Sequence, residues 1–109
     1  MKPVFLIVRL EFREWDEYVE KYGLPVLAMF EDVGAEVIAA SAPEVLEGVW
    51  SGNWTALIRF PSMEVALAFY RSPQYQPLKA LRINELTENG TAVLVDGFDP
   101  AALGIDISR

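Results

Sequence analysis

Residues 60–82 read FPSMEVALAFYRSPQYQPLKALR, and this stretch decides how the chain folds. Phe60 closes a strand, and Ser62 follows as a helix cap, because its hydroxyl can accept one of the orphan N–H groups of a first turn. The cap predicts a helix over 63–71. Ser72-Pro73 then forces a break, since the residue before a proline is driven out of the helical region. Proline is nonetheless tolerated at the first position of a new helix, so a second helical piece is expected directly after it. Upstream, WTALIRF (residues 54–60) is a strand. Downstream, Asn89-Gly90 predicts a turn leading into a last strand, TAVLVDGF, over 91–98.

The N-terminal half supplies a matching unit. Residues 3–12 alternate with a period of two, placing Val4, Leu6, Val8, Leu10 and Phe12 on one face and Phe5, Ile7, Arg9 and Glu11 on the other. Trp15, Tyr18, Tyr22, Val26, Phe30 and Val33 then recur at helical spacing, which predicts a helix over 14–33. Gly23 and Pro25 should kink it, and Gly34 should stop it. AEVIAAS (35–41) is a second strand, and 42–52 an edge hairpin or loop. The order β-α-β-β-α-β is that of a ferredoxin-like α+β fold: an antiparallel sheet of order 4-1-3-2 with both helices on one face. Residues 1–98 form this domain, and 99–109 are a C-terminal tail.

On this reading Val4, Leu6, Val8, Ala56, Ile58, Phe60, Val93 and Val95 face the helices. The opposite face carries Phe5, Ile7, Leu57, Ala92, Leu94 and Phe98, with Arg9, Thr55, Arg59 and Asp96 among them. A solvated antiparallel face should be polar. This one is too apolar for water, and a second copy of the chain is the economical cover.

Composition narrows the chemistry. Nine basic against 16 acidic residues give a net charge of −7, which opposes nucleic acid and anionic membranes as partners. The chain has no Cys and no His, which removes thiolate nucleophiles, Cys-ligated metals, Ser–His chemistry and His-ligated haem. No cofactor and no metal are expected. The opening KPVFLIVRL is a buried strand rather than a signal peptide, because Arg9 interrupts a short apolar run and no small-residue cleavage site follows; a cytoplasmic protein is expected.

Glu44-Val45-Leu46-Glu47-Gly48 with Trp50, then Phe60-Pro61-Ser62, Ala66, Ala68, Phe69-Tyr70, Ser72-Pro73, Tyr75-Gln76 and Leu78 resemble the domain-of-unknown-function 1330 family of the dimeric α/β-barrel superfamily. The similarity covers roughly residues 3–98 and is most specific over 60–78. It implies a homodimer whose sheets pack face to face into a barrel. It supplies no activity, although related barrels include cofactor-free monooxygenases and lactone isomerases, and kinship of fold is a weak warrant for function. Members often carry a basic residue in the second strand, where this chain has Ala39 and Ala40.

Two sets of residues are candidates for a site. Arg9 and Arg59, at matching places near the ends of neighbouring strands, read as an anion site in which arginine holds a carboxylate and Asp96 acts as general base. The alternative is an internal Arg–Asp network at the dimer interface. Tyr70, Tyr75 and Trp50 read as ligand-lining aromatics, or equally as packing at the helix joint and rim. Glu47, beside Gly48, is a second candidate base or a turn residue. The expected function is binding of a small anionic or aromatic metabolite between helices and sheet, with cofactor-free isomerisation or oxygenation as the chemistry. The alternative is a non-catalytic binding or assembly module.

Overall fold

A computed structural model describes residues 2–106. Residues 107–109 of the tail lie outside the described residues. Strands β1 (Val4–Phe12), β2 (Glu36–Ser41), β3 (Trp54–Phe60) and β4 (Thr87–Asp96) form one antiparallel sheet in the order β2-β3-β1-β4, the ferredoxin-like order that the sequence predicts. Helices α1 (Trp15–Tyr18), α2 (Leu24–Asp32), α3 (Met63–Arg71) and α4 (Gln76–Leu81) cover one face. The core lies between the layers, where Phe30, Phe60 and Phe69 pack with ring centroids 5.3–5.9 Å apart.

Local chemistry accounts for the boundaries. Ser62 Oγ accepts the Val65 N–H at 3.2 Å and starts α3 at Met63. Ser62→Ala should therefore cost about 1 kcal/mol, read as a lowered midpoint in urea denaturation. After α2, Gly34 takes a φ of +75° while Ala35 N–H reaches the Phe30 carbonyl at 2.8 Å, the paired bonds of a glycine-stopped helix. Restart after Ser72 is slower than expected: Pro73, Gln74 and Tyr75 form a turn, and α4 opens only at Gln76.

The predicted kink near Gly23 takes the form of a π-helical turn, Val19–Gly23, between α1 and α2. Leu24 N–H bonds to the Val19 carbonyl, and the widened turn accommodates Pro25, which has no N–H to give. A second π turn, Arg82–Leu86, follows α4. Thr87 donates both its N–H and its hydroxyl (2.7 Å) to the Arg82 carbonyl, which pins the backbone of Arg82.

Two expectations are corrected. Asn89-Gly90 is not a hairpin turn: it lies inside β4, where the pairing register with β1 shifts between Arg9 and Glu11. Asn89 has a φ of +54° there, so the dipeptide makes the left-handed step of a bulge rather than of a turn. The faces of β4 are also reversed. Val4 pairs with Asp96, Leu6 with Leu94 and Val8 with Ala92, and directly opposed residues share a face. Ala92, Leu94 and Asp96 thus lie on the helix side, and Val93 and Val95 on the open side with Phe5, Ile7 and Leu57. The open face remains apolar with a different set of residues.

The 42–53 segment is a loop with no regular structure. Gly52 anchors its end at a φ of +106°, where an added Cβ would sit 2.5 Å from the Leu10 carbonyl oxygen, so the close approach to β1 admits only glycine.

Candidate functional site

The expected pairing of Arg9 with Arg59 does not form. Antiparallel strands run past each other, so the late residue Arg9 of β1 lies opposite the early residue Thr55 of β3, and Arg59 lies opposite Phe5. The two arginines are four positions apart along the sheet, about 13 Å at the strand rise. Arg9 donates to the Ser51 carbonyl at 3.1 Å, to Ser51 Oγ, and to Thr91 Oγ1 at 2.8 Å. Its guanidinium lies 5.6 Å from the Trp50 ring, and Trp50 Nε1 donates to Thr55 Oγ1 at 3.0 Å. Arg9 and Trp50 together tie the 42–53 loop onto the open face. Arg59 is exposed at the β2 side, opposite Glu36. Asp96 pairs with Val4 on the helix side, at the far end of β1 from Arg9. Glu47 is exposed on the loop beside Gly48, whose φ is +78°.

The structure instead builds a site between the layers. A cavity of about 310 Å³ lies over the helix side of β1 and β3, walled by Leu6, Val8, Val26, Phe30, Ala56 and Ile58, with Trp15 and Trp54 also lining it. Tyr18, Tyr22, Tyr70, Tyr75 and Arg82 line it as well, and Arg82 is the only charged residue among the described residues that line it. A smaller chamber of about 240 Å³, lined by Ile83, Thr87, Asn89 and Gly90, shares Tyr70, Arg82 and Ala92 with the first. Both π turns contribute to this site, Tyr22 from one and Arg82 from the other. Widened turns of this kind often occur at functional positions.

Tyr70, in α3, and Tyr75, just before α4, line the cavity from the joint between the two helices. Tyr75 is 3% exposed and shares a 2.6 Å hydrogen bond with the Tyr22 hydroxyl. The Tyr70 ring lies 5.6 Å from that of Tyr75, with the Lys79 ammonium 4.8 Å from the Tyr70 ring centroid. Arg82 is 4% exposed, its guanidinium lies 5.8 Å from the Tyr22 ring, and its Nε is a buried donor with no hydrogen-bond partner.

Electrostatics fix the protonation states. Burial pushes the Tyr18 phenol up to about 12, with Arg82 opposing. Burial also pushes Tyr22 well above its ordinary value, with Tyr75 adding to the shift and Arg82 again opposing. For Arg82, burial works against the charge, but the phenols of Tyr22 and Tyr75 outweigh it and leave the pKa raised. At neutral pH Arg82 is therefore charged, and the Tyr18 and Tyr22 phenols beside it are neutral.

Sequence reasoning did not single out Arg82. A signal was present. Tyr75, Leu78, Arg82 and Leu86 recur at helical spacing, so the arginine stands on the face that carries the buried residues.

A four-stranded antiparallel sheet with its helices on one face places the chain in the ferredoxin-like α+β class. The profile of a family described as a domain of unknown function (DUF1330) matches residues 3–98, and the chain belongs to that family. Among solved structures, a protein of unknown function from Rhodopseudomonas palustris is 20% identical with a TM-score of 0.68, covering 91% of this chain and 85% of its own. A dimeric protein of unknown function and ferredoxin-like fold from Bacteroides fragilis is 14% identical, with a TM-score of 0.53 and coverage of 87% and 96%. An uncharacterised NIPSNAP domain protein from Burkholderia xenovorans is 16% identical, with a TM-score of 0.53 and coverage of 90% and 95%. At these identities the likeness is one of fold. No curated protein matches the chain. Among the described residues no helix is long and apolar enough to cross a membrane, and no three carboxylates are grouped to hold a metal ion.

Proposed function

We propose that this protein is a homodimer that binds a small anionic or aromatic molecule in the cavity between its helices and its sheet. One observation carries the binding reading: an apolar cavity of about 310 Å³ whose few polar groups, four tyrosines and a guanidinium among them, converge on it. A mostly apolar pocket with a few placed polar groups is the usual form of a small-molecule site, and this volume sits at the small end of the range. Neither Asp96 nor Glu47 lines the cavity, so neither is offered as a base, and the reading is one of binding rather than of a named reaction.

Dimerisation has separate support. The accessible surface of 7207 Å² exceeds by about 1,100 Å² what a compact monomer of this mass exposes. The molecule is a slab only 17 Å thick along its shortest axis, and Val93 and Val95 on its open face are each 46% exposed. The Bacteroides fragilis neighbour of like fold is described as dimeric.

Native mass spectrometry of protein purified gently from a metabolite-rich lysate tests both parts. The expected species is a dimer carrying a reproducible small added mass, lost in an Ala56→Phe variant that fills the cavity. A monomer at micromolar concentration would remove the dimer. A bare protein whose tryptophan emission, from Trp15 and Trp54 in the cavity wall, is indifferent to millimolar aromatic and aliphatic acids and amides would remove the binding reading.

A further inference from the structure

Resting on that binding reading, we infer that the ligand is a monocarboxylate whose carboxylate lies against Arg82 and whose apolar body fills the larger chamber. The inference comes from a charge that the protein leaves unbalanced. Arg82 is 4% exposed, and among the described residues no Asp or Glu lines either chamber that reaches it. A buried guanidinium is ordinarily paired, because removing it from water is expensive unless a counter-charge and hydrogen bonds replace the solvent. The Tyr18 and Tyr22 phenols cannot supply that counter-charge, since burial keeps them protonated. They offer dipoles, and the Arg82 Nε still has no acceptor.

The number of charges selects the anion. Among the described residues Arg82 is the single cation lining the two chambers, so one negative charge neutralises the site and two would bury an excess. A carboxylate also matches the planar fork of a guanidinium with two parallel N–H···O bonds. A phosphate monoester, near −2 at neutral pH, fits less well. The body must be apolar and small, since Val8, Val26, Ala56 and Ile58 wall the larger chamber. Small aromatic acids and short-chain fatty acids have this form.

The test compares acids with their own amides on the unmodified protein, reading tryptophan emission. Phenylacetate and hexanoate should bind about ten- to a hundredfold more tightly than phenylacetamide and hexanamide, the usual range for a hydrogen bond to a charged group. Affinity should fall as pH drops through the acid's own pKa, near 4–5, and hold level from pH 6 to 9, because Arg82, Tyr18 and Tyr22 keep their protonation there. Arg82→Met should erase the preference for the acid, and Arg82→Lys, which keeps the charge and loses the fork, should retain part of it. Acid and amide binding equally would overturn the carboxylate while leaving the cavity a binding site. Phenyl phosphate binding more tightly than phenylacetate would overturn the single charge. An acid preference that survives in a folded Arg82→Met protein would remove Arg82 as the receptor. Silence from acids and amides alike would overturn both this inference and the binding reading beneath it.

Discussion

Arg82→Met is expected to make the ligand-free protein more stable while removing its affinity for acids. Arg82 is almost fully buried, keeps its charge and leaves Nε without an acceptor. Methionine replaces the unbranched stem with a flexible apolar one of comparable reach, so the packing against Tyr22 and Tyr75 is largely kept and the desolvated charge is gone. Replacing buried charges with apolar groups commonly gains 1–4 kcal/mol; about 1–2 is expected here, because the phenols already compensate part of the charge. For a chain of this size that is a rise in Tm of roughly 5–10 °C, measurable by calorimetry on protein stripped of ligand. Over the same substitution acid binding should fall about ten- to a hundredfold. A residue that costs stability and is required for binding has the profile of a functional residue. A Tm that falls would instead show that the phenol and stem contacts of Arg82 outweigh its desolvation, and that the residue is structural.

The second large effect is expected at the open face. Ile7 stands between Leu57 of β3 and Val93 of β4, in the middle of the apolar surface proposed to meet its twin. Ile7→Lys would place a cation there on both subunits, so two like charges would face one another in a desolvated interface. The dimer dissociation constant should rise at least about a hundredfold. The protomer should stay folded, because Ile7 is outside the core beneath the helices. Sedimentation velocity over a concentration series, with circular dichroism for the fold, reads both quantities. A variant that dimerises like the parent would move the interface elsewhere, and a parent that is monomeric would dispose of it.

How much could be read from the chain divides along the range of the interactions involved. Ser62 fixed the start of α3, and Trp54–Phe60 is the strand that its pattern predicts, because caps and side-chain alternation act over a few residues. Gly34 stopped its helix for the same reason. Tyr70 and Tyr75 were legible as cleft residues because the proline break gives the joint its geometry. The misreadings of the sheet involve pairings between distant segments. Asn89 takes a left-handed conformation that serves a turn or a bulge equally, and the choice depends on whether β1 continues alongside. Reversing the faces of β4 needs only a one-residue difference in register.

The sequence by itself determined the elements, their order and the sheet they form, since periodicity, capping and proline placement leave few topologies for a chain of this length. It also determined that the open face would be apolar, which survives the exchange of Ala92 and Leu94 for Val93 and Val95. Tertiary structure alone decided the site. Arg9 and Arg59 were separated because antiparallel strands run in opposite directions. Arg82, unremarkable in one dimension, became the single charge among the described residues that line the cavity only when two π turns brought it against Tyr22 and Tyr75. Whether a charge is a solvated surface residue or a receptor depends on what surrounds it, and residues distant in the chain supply those surroundings.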